Sequence, residues 1–211
     1  VTDVRDKILA AALAIADERG LAAVSMRSVA ERVGLSAMAL YPHVSSKEAL
    51  LDGVVDLLLA EQLPVLAALP AGADHWTRLR AMAQGVRQLA RRHPSAFSLL
   101  LARPSVTADA VRVTDGVYQV LVDAGVPSAD VARVERLVST FALGFAASEV
   151  NGRFSKGTLS SRGRRAQLPE DAIPAHYRLA EHLDQPIDWD AEFEADLDDL
   201  QALVEAIATR P

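Results

Sequence analysis

Cysteine is absent from the 211 residues, which excludes thiol redox sensing and any cysteine-ligated metal site. The five histidines (43, 75, 93, 176, 182) never fall at the His-x-x-x-His spacing that sets two imidazoles on one helix face, so no metal or other cofactor is expected. No apolar run is long enough to cross a bilayer. No targeting segment is visible at the start, and a cytoplasmic protein without a membrane partner is expected. Strand patterning is nearly absent, since apolar positions recur at helical spacing almost everywhere. There is no internal repeat, no Gly-x-Ser-x-Gly turn and no phosphate-cradling glycine loop. This inventory predicts an all-α protein with no catalytic residues.

What is present is concentrated in Ser25–Asp52, SMRSVAERVGLSAMALYPHVSSKEALLD. Val29, Ala30 and Val33 make the apolar face of a short helix. Gly34 then stands where a helix ends in the left-handed conformation that glycine adopts cheaply. Leu35 is placed to plug the corner, and Ser36 to cap the next helix. Leu40 and Val44 continue the buried side. Ser45-Ser46-Lys47-Glu48 reads as a capping box with Ser45 as the cap. Helix, glycine turn, helix is the supersecondary unit with which many proteins read DNA.

The segment resembles the N-terminal domain of tetracycline-repressor-type (TetR family) transcription regulators. The resemblance rests on Ile8, Ala11-Ala12, Ile15, Gly20-Leu21, Ser25-Met26-Arg27, Val29-Ala30, Val33-Gly34-Leu35-Ser36, Leu40-Tyr41, His43-Val44, Ser46-Lys47-Glu48 and Leu50-Leu51. It covers roughly residues 4–52. The remainder is only loosely similar, through Arg92-His93-Pro94 and Phe193, Leu197 and Leu200. The resemblance implies a DNA-binding domain over 1–47 and a helical ligand-binding and dimerisation domain over 48–211, joined by the fourth helix. It also implies a ligand-responsive regulator, most often a repressor released from its operator by a small effector.

The formal charge of −6 argues against a surface that binds nucleic acid all over, but not against a DNA-reading module on an acidic body. Residues 1–52 are themselves close to neutral, with six basic side chains against seven acidic ones, so an uneven spread of charge over the module is needed for phosphate contact. The chain opens on Val1 rather than Met, and a basic tail ahead of it would add such contacts.

The third helix is the one to enter the major groove, offering Ala37, Met38, Ala39, Tyr41, Pro42 and His43. Ala and Met suit thymine methyl groups rather than hydrogen-bonded readout. Arg27 is the candidate for a bidentate guanine contact. Ser25, Ser36, Tyr41, His43 and Lys47 are the expected cap and phosphate contacts. Tyr41 also fits a plain core tyrosine, and His43 a plain surface histidine. Pro42 removes a helical hydrogen bond and should end or bend the reading helix there.

Further helices are expected over 3–19, 46–62, 74–92, 95–102, 107–124, 128–154 and 169–182, with a last one from near Asp190. The arginines of 74–92 read as exposed polar decoration. Residues 155–168, basic and rich in Gly, Ser and Thr, read as a solvated loop. Leu137–Ala147 is apolar nearly all round and should be buried on two sides. Phe193, Leu197, Leu200, Val204 and Ile207 form a stripe at spacing 4, 3, 4, 3. Both are candidate faces for a homodimer, which a palindromic double-stranded operator requires. Met82, Phe97, Leu101, Tyr118, Leu121, Phe141, Phe145 and Glu149 are the candidate effector contacts, and an apolar or aromatic effector is expected. Each also fits ordinary core packing. Two rival readings stay open: a helical protein-interaction adaptor and, on weaker grounds, an enzyme.

Overall fold

The computed structural model describes residues 3–70, 72–103, 107–154 and 160–210, and among them there are helices and turns but no strand. Helix α1 spans Val4–Arg19, α2 Met26–Val33, α3 Ala37–Leu40 and α4 Lys47–Ala60. A short α5 (Leu63–Ala67) leads to α6 (His75–Arg92), α7 (Pro94–Ala102), α8 (Ala108–Asp123) and α9 (Ser128–Val150). Three short helices follow, α10 (Ser161–Arg165), α11 (Pro174–Arg178) and α12 (Ala180–Leu183), before α13 (Trp189–Ala208). None of the described helices is long and apolar enough to cross a membrane.

Local chemistry sets the boundaries of the first four helices. Asp3 caps α1, and Gly20 ends it at φ 83°. Gly34 ends α2 in the left-handed conformation, at φ 72° and ψ 28°, as the sequence requires. Ser36 caps α3 by accepting from the Ala39 N–H. α3 is only one turn long because Pro42 has no N–H to continue it. The chain closes instead through the His43 and Val44 N–H groups, both donating to the Leu40 carbonyl at 2.9 Å.

Several expectations are corrected. The cap of α4 is Ser46, which accepts from Ala49 N–H, not Ser45. Leu35 is 40% exposed and does not plug the corner. Pro127, not Ser128, precedes α9, and no side chain caps it. The helix expected over 169–182 is broken into α11 and α12, with Pro174 opening α11. In the expected loop over 155–168, residues 155–159 lie outside the described residues. The rest contains α10, whose Arg165 is buried and ion-paired with Asp184 at 2.7 Å.

The apolar residues form two cores. The first gathers Ile8, Ala12, Ile15, Val29, Leu40, Leu50 and Leu58 from α1–α4 and is closed by Leu89, Ala96, Phe97 and Ala146 from the body. The second joins Leu79, Leu121, Val134, Val138 and Phe145 of α6, α8 and α9 to Phe193, Leu197, Leu200, Val204 and Ile207 of α13. The α13 stripe is therefore spent inside its own chain, with none of its five residues more than 8% exposed. Leu137–Ala147 is buried on two sides, giving Ala146 and Ala147 to the first core and Val138, Ala142 and Phe145 to the second, but a third side is open. On that side Leu137, Thr140 and Gly144 are exposed.

Candidate DNA-reading surface and interior cavity

The head's outer surface is built by α2, the glycine turn and α3. Met38 is 76% and Tyr41 48% exposed, and Pro42, His43 and Lys47 are exposed with them. Tyr41 is thus outside the core, because Leu40 fills the inward slot at 0% exposure. Ala37 and Ala39 are half-buried, leaving Met38 as the apolar side chain that stands clear of α3. Ser25 is tied into a reciprocal cap: its hydroxyl accepts from Ser28 N–H (3.1 Å) and Ser28 Oγ accepts from Ser25 N–H (3.0 Å). The Arg27 side chain is 87% exposed, and its Nε donates to Glu31 at 3.0 Å. That contact uses the side of the guanidinium and leaves its terminal Nη pair pointing on.

Of the seven acids in residues 1–52, Asp17, Glu18 and Asp52 are held in ion pairs, while Glu31 stays on this surface beside Arg27. Glu18 pairs with Arg32 of α2, and that hydrogen bond first of all holds its carboxyl below the usual range. Asp17 meets His93 Nδ1 at 2.7 Å, and Asp52 meets Arg103 Nη1 at 2.6 Å. Lys7 and Lys47 make no ion pair among the described residues. A nearly neutral module therefore keeps two unpaired ammonium groups for phosphate contact. The pattern was not readable from the sequence because the partners of Asp17 and Asp52 lie 76 and 51 residues away.

The same contacts join head to body. His93, between α6 and α7, reaches Asp17 of α1 with one ring nitrogen and Glu61, just beyond α4, with the other at 3.2 Å. Arg103, at the end of α7, holds the first two turns of α4 through Asp52 and the Glu48 carbonyl at 3.4 Å.

Behind this seam lies a cavity of about 300 Å³. Its walls come from Val55 and Leu59 of α4, Met82 and Val86 of α6, Leu100 of α7, Val113 and Val117 of α8, and Val138, Ala142 and Leu143 of α9. The polar exceptions are Gln62, Arg103, Thr114, Glu135 and Ser139. Gln62 is 7% exposed; its amide donates to the Gly85 carbonyl at 3.5 Å, an approach that a side chain at Gly85 would obstruct.

Of the eight residues singled out as effector contacts, Met82 lines this cavity and the other seven do not. Phe97 and Leu121 are fully buried in the two cores, Leu101 is 53% exposed, and Tyr118 packs half-buried against the second core. Phe141 is stacked on Phe193 and Phe145 packs tilted against it, at ring distances of 5.9 and 4.7 Å. Glu149 is taken by arginines. Arg87, read as surface decoration, is 3% exposed; it forks onto Glu149 at 2.8 and 2.9 Å and lies over the Phe145 and Phe193 rings. Arg91 adds a third bond to Glu149 at 2.7 Å. The Arg87 bond is the largest cause holding the Glu149 carboxyl below its ordinary value. The physical reason is volume: aromatic side chains fill space, so the void falls where valine, alanine and leucine leave it.

A glycine-turned pair of helices carried outward on α1, with a body behind it hollowed by an apolar cavity, defines the class: helix-turn-helix regulators with an internal ligand site. Similarity then supplies the family. Residues 8–54 match the family described as bacterial regulatory proteins, tetR family, and residues 69–204 match the tetracyclin repressor-like C-terminal domain. An HTH-type transcriptional regulator of Saccharopolyspora erythraea is 32% identical over 174 residues, which are 81% of this chain and 72% of that protein. The HTH-type transcriptional repressor DrrR1 of Streptomyces coeruleorubidus is 29% identical over 168 residues, 78% of this chain and 61% of that protein. Streptomyces coelicolor ActR, solved in complex with actinorhodin, superposes with a TM-score of 0.83 at 25% identity, covering 100% of both chains. The chain belongs to the tetR family of bacterial regulatory proteins, and it is a DNA-binding transcriptional regulator.

Proposed function

We propose that the protein is a cytoplasmic repressor that holds a palindromic operator as a homodimer and lets go when a small, largely apolar molecule fills the cavity. The observation that carries the reading is the shared helix: α4 begins in the head, beside Lys47, and supplies Val55 and Leu59 to the cavity wall. A ligand with different affinity for two placements of α4 shifts the head between them. The ActR complex supports this by likeness, since that relative holds actinorhodin.

On this reading residues 1–47 are the DNA head, 48–211 the body, and α4 the connection. Arg27 reads a guanine with its Nη pair, buttressed by Glu31. Met38 packs on thymine methyl groups, with Ala37 and Ala39 beside it. Ser25, Ser36, Tyr41, Pro42, His43 and Lys47 line the phosphate track. The dimer uses the outer faces of α9 and α13, where Leu137 and Leu203 stand 39% and 42% exposed beside small residues.

Selection from a random duplex pool tests the reading. It should return one inverted-repeat site whose log affinity falls linearly with log salt, by roughly 0.9 per phosphate contacted. A pool that returns no preferred duplex sinks the DNA assignment and favours a protein-binding adaptor.

A further inference from the structure

Arg103 faces two ways. It borders the cavity, and it also holds the first two turns of α4. Both of its hydrogen bonds, to Asp52 and to the Glu48 carbonyl, use the same nitrogen, Nη1. Neither Nε nor Nη2 has a partner among the described residues. That open edge is the planar fork that matches a carboxylate through two parallel hydrogen bonds. Around it the walls are mostly aliphatic, and none of the polar exceptions, Gln62, Thr114, Glu135 and Ser139, is hydrogen-bonded to the guanidinium.

Building on the effector reading above, we infer that the effector is a monocarboxylate on an apolar body, and that Arg103 both reads the carboxylate and passes its arrival to α4. The carboxylate takes the guanidinium through two bonds in a site shielded by aliphatic side chains. Asp52 holds it through one, with its side chain 59% exposed and its charge screened by water. The effector therefore draws Arg103 off Asp52. The two turns bearing Glu48 and Asp52 lose their tie to α7, and they begin at Lys47, the phosphate anchor. Glu135, the other ionisable group among the described lining residues, disfavours a second anionic group in the same cavity. A phosphate dianion is disfavoured too, because stripping two charges of water against aliphatic walls costs more than the fork returns.

The test is calorimetric titration of the full chain with two acid–amide pairs: 2-naphthoate against 2-naphthamide, and anthracene-2-carboxylate against its amide. Wild type should bind the acids about tenfold more tightly than the amides, the worth of one charged hydrogen bond. Arg103→Gln should bring acid and amide to within about twofold, by removing the same bond. Asp52→Asn, which leaves the fork intact and removes the competitor, should tighten the acids several-fold and leave the amides unchanged. Hydrogen exchange at the Ala49 and Leu50 amides should rise when the acid binds wild type. Equal binding of acid and amide to wild type overturns the inference and leaves the cavity reading standing. So does a preference that survives Arg103→Gln, or an Asp52→Asn variant that binds the acids more weakly. If none of the four compounds binds, the cavity reading falls with it.

Discussion

The head keeps its working side chains outside its core, whereas the body arranges its own around a void. In the head, Ile8, Ala12, Ile15, Val29 and Leu40 pack solidly, and Arg27, Met38, Tyr41 and Lys47 stand off them into solvent. In the body, the polar groups are drawn inward: Arg87 is 3% exposed, and Gln62 and Arg165 are 7% exposed. The contrast follows from the two ligands. A duplex is larger than the head and must be met on the surface, while an effector is smaller than the body and can be enclosed. It follows that charge in the head can be changed with little effect on folding, whereas charge in the body is bound up with stability.

The sharpest test of that contrast is Arg87→Met. Removing the buried partner strands Glu149 with Arg91 alone and strips the cation from the Phe145 and Phe193 faces. Urea unfolding should show a loss of about 3–5 kcal/mol, the usual result of breaking a buried pair from one side. Arg32→Met, breaking the solvent-facing pair with Glu18, should change the midpoint far less. Acid sharpens the same point. The Glu149 carboxyl is held below its ordinary value of 4.5, so its contribution is in full force above that pH and is lost as pH falls through the lowered value. Wild type should lose stability on going below about pH 4.5, and Arg87→Met should flatten that limb. An acid limb unchanged by the substitution would mean that other carboxylates carry it.

The seam between the regions should yield the next largest effect. A Cβ at Gly53 of α4 would come 2.4 Å from Leu9 of α1, a contact that forces the leucine to move. Gly53→Val should cost about 1–3 kcal/mol by overpacking. If the head docks on the body through this seam, the variant should also weaken DNA binding while Arg27 and Lys47 remain in place. A variant that unfolds no earlier than wild type would mean that the α1–α4 packing has slack.

The two regions were unequally legible in the sequence for a physical reason. The head's structure is dictated by neighbours: Gly34 for the left-handed turn, Ser25 and Ser36 for caps, and Pro42 for the stop after one turn of α3. Each acts within four residues of itself, and even the misplaced cap of α4 was off by one serine. The body's site is a gap between five helices, and no local pattern encodes a gap. Choosing large apolar residues selected the space-filling ones, so Phe97, Leu121 and Phe145 proved to be core while Val113, Val138 and Ala142 line the void. The α13 stripe failed likewise. Its spacing says that the face is covered, and only the fold says that the cover is its own chain, α9 among it, rather than a second copy. Arg87 gave no signal at all, being one of five arginines on α6 with nothing local to mark it as the one turned inward.

The smallest expected effects lie in the head, and they separate reading from holding. Arg27→Ala should cost about 1–3 kcal/mol on the selected operator and nothing on a duplex changed at the contacted base pair, so specificity relaxes at one position. Glu31→Ala sharpens this, because Arg27 loses its buttress but keeps its charge, and it should fall between wild type and Arg27→Ala. Lys47→Ala should weaken every duplex alike and reduce the slope of log affinity against log salt by about 0.9. Neither substitution should move the urea midpoint, because both side chains are exposed and Lys47 has no partner among the described residues to lose. If Lys47→Ala altered the ranking of sequences rather than the slope, Lys47 would be a reading residue. The division of labour in the head, with Arg27 reading and Lys47 holding, would then have to be reversed.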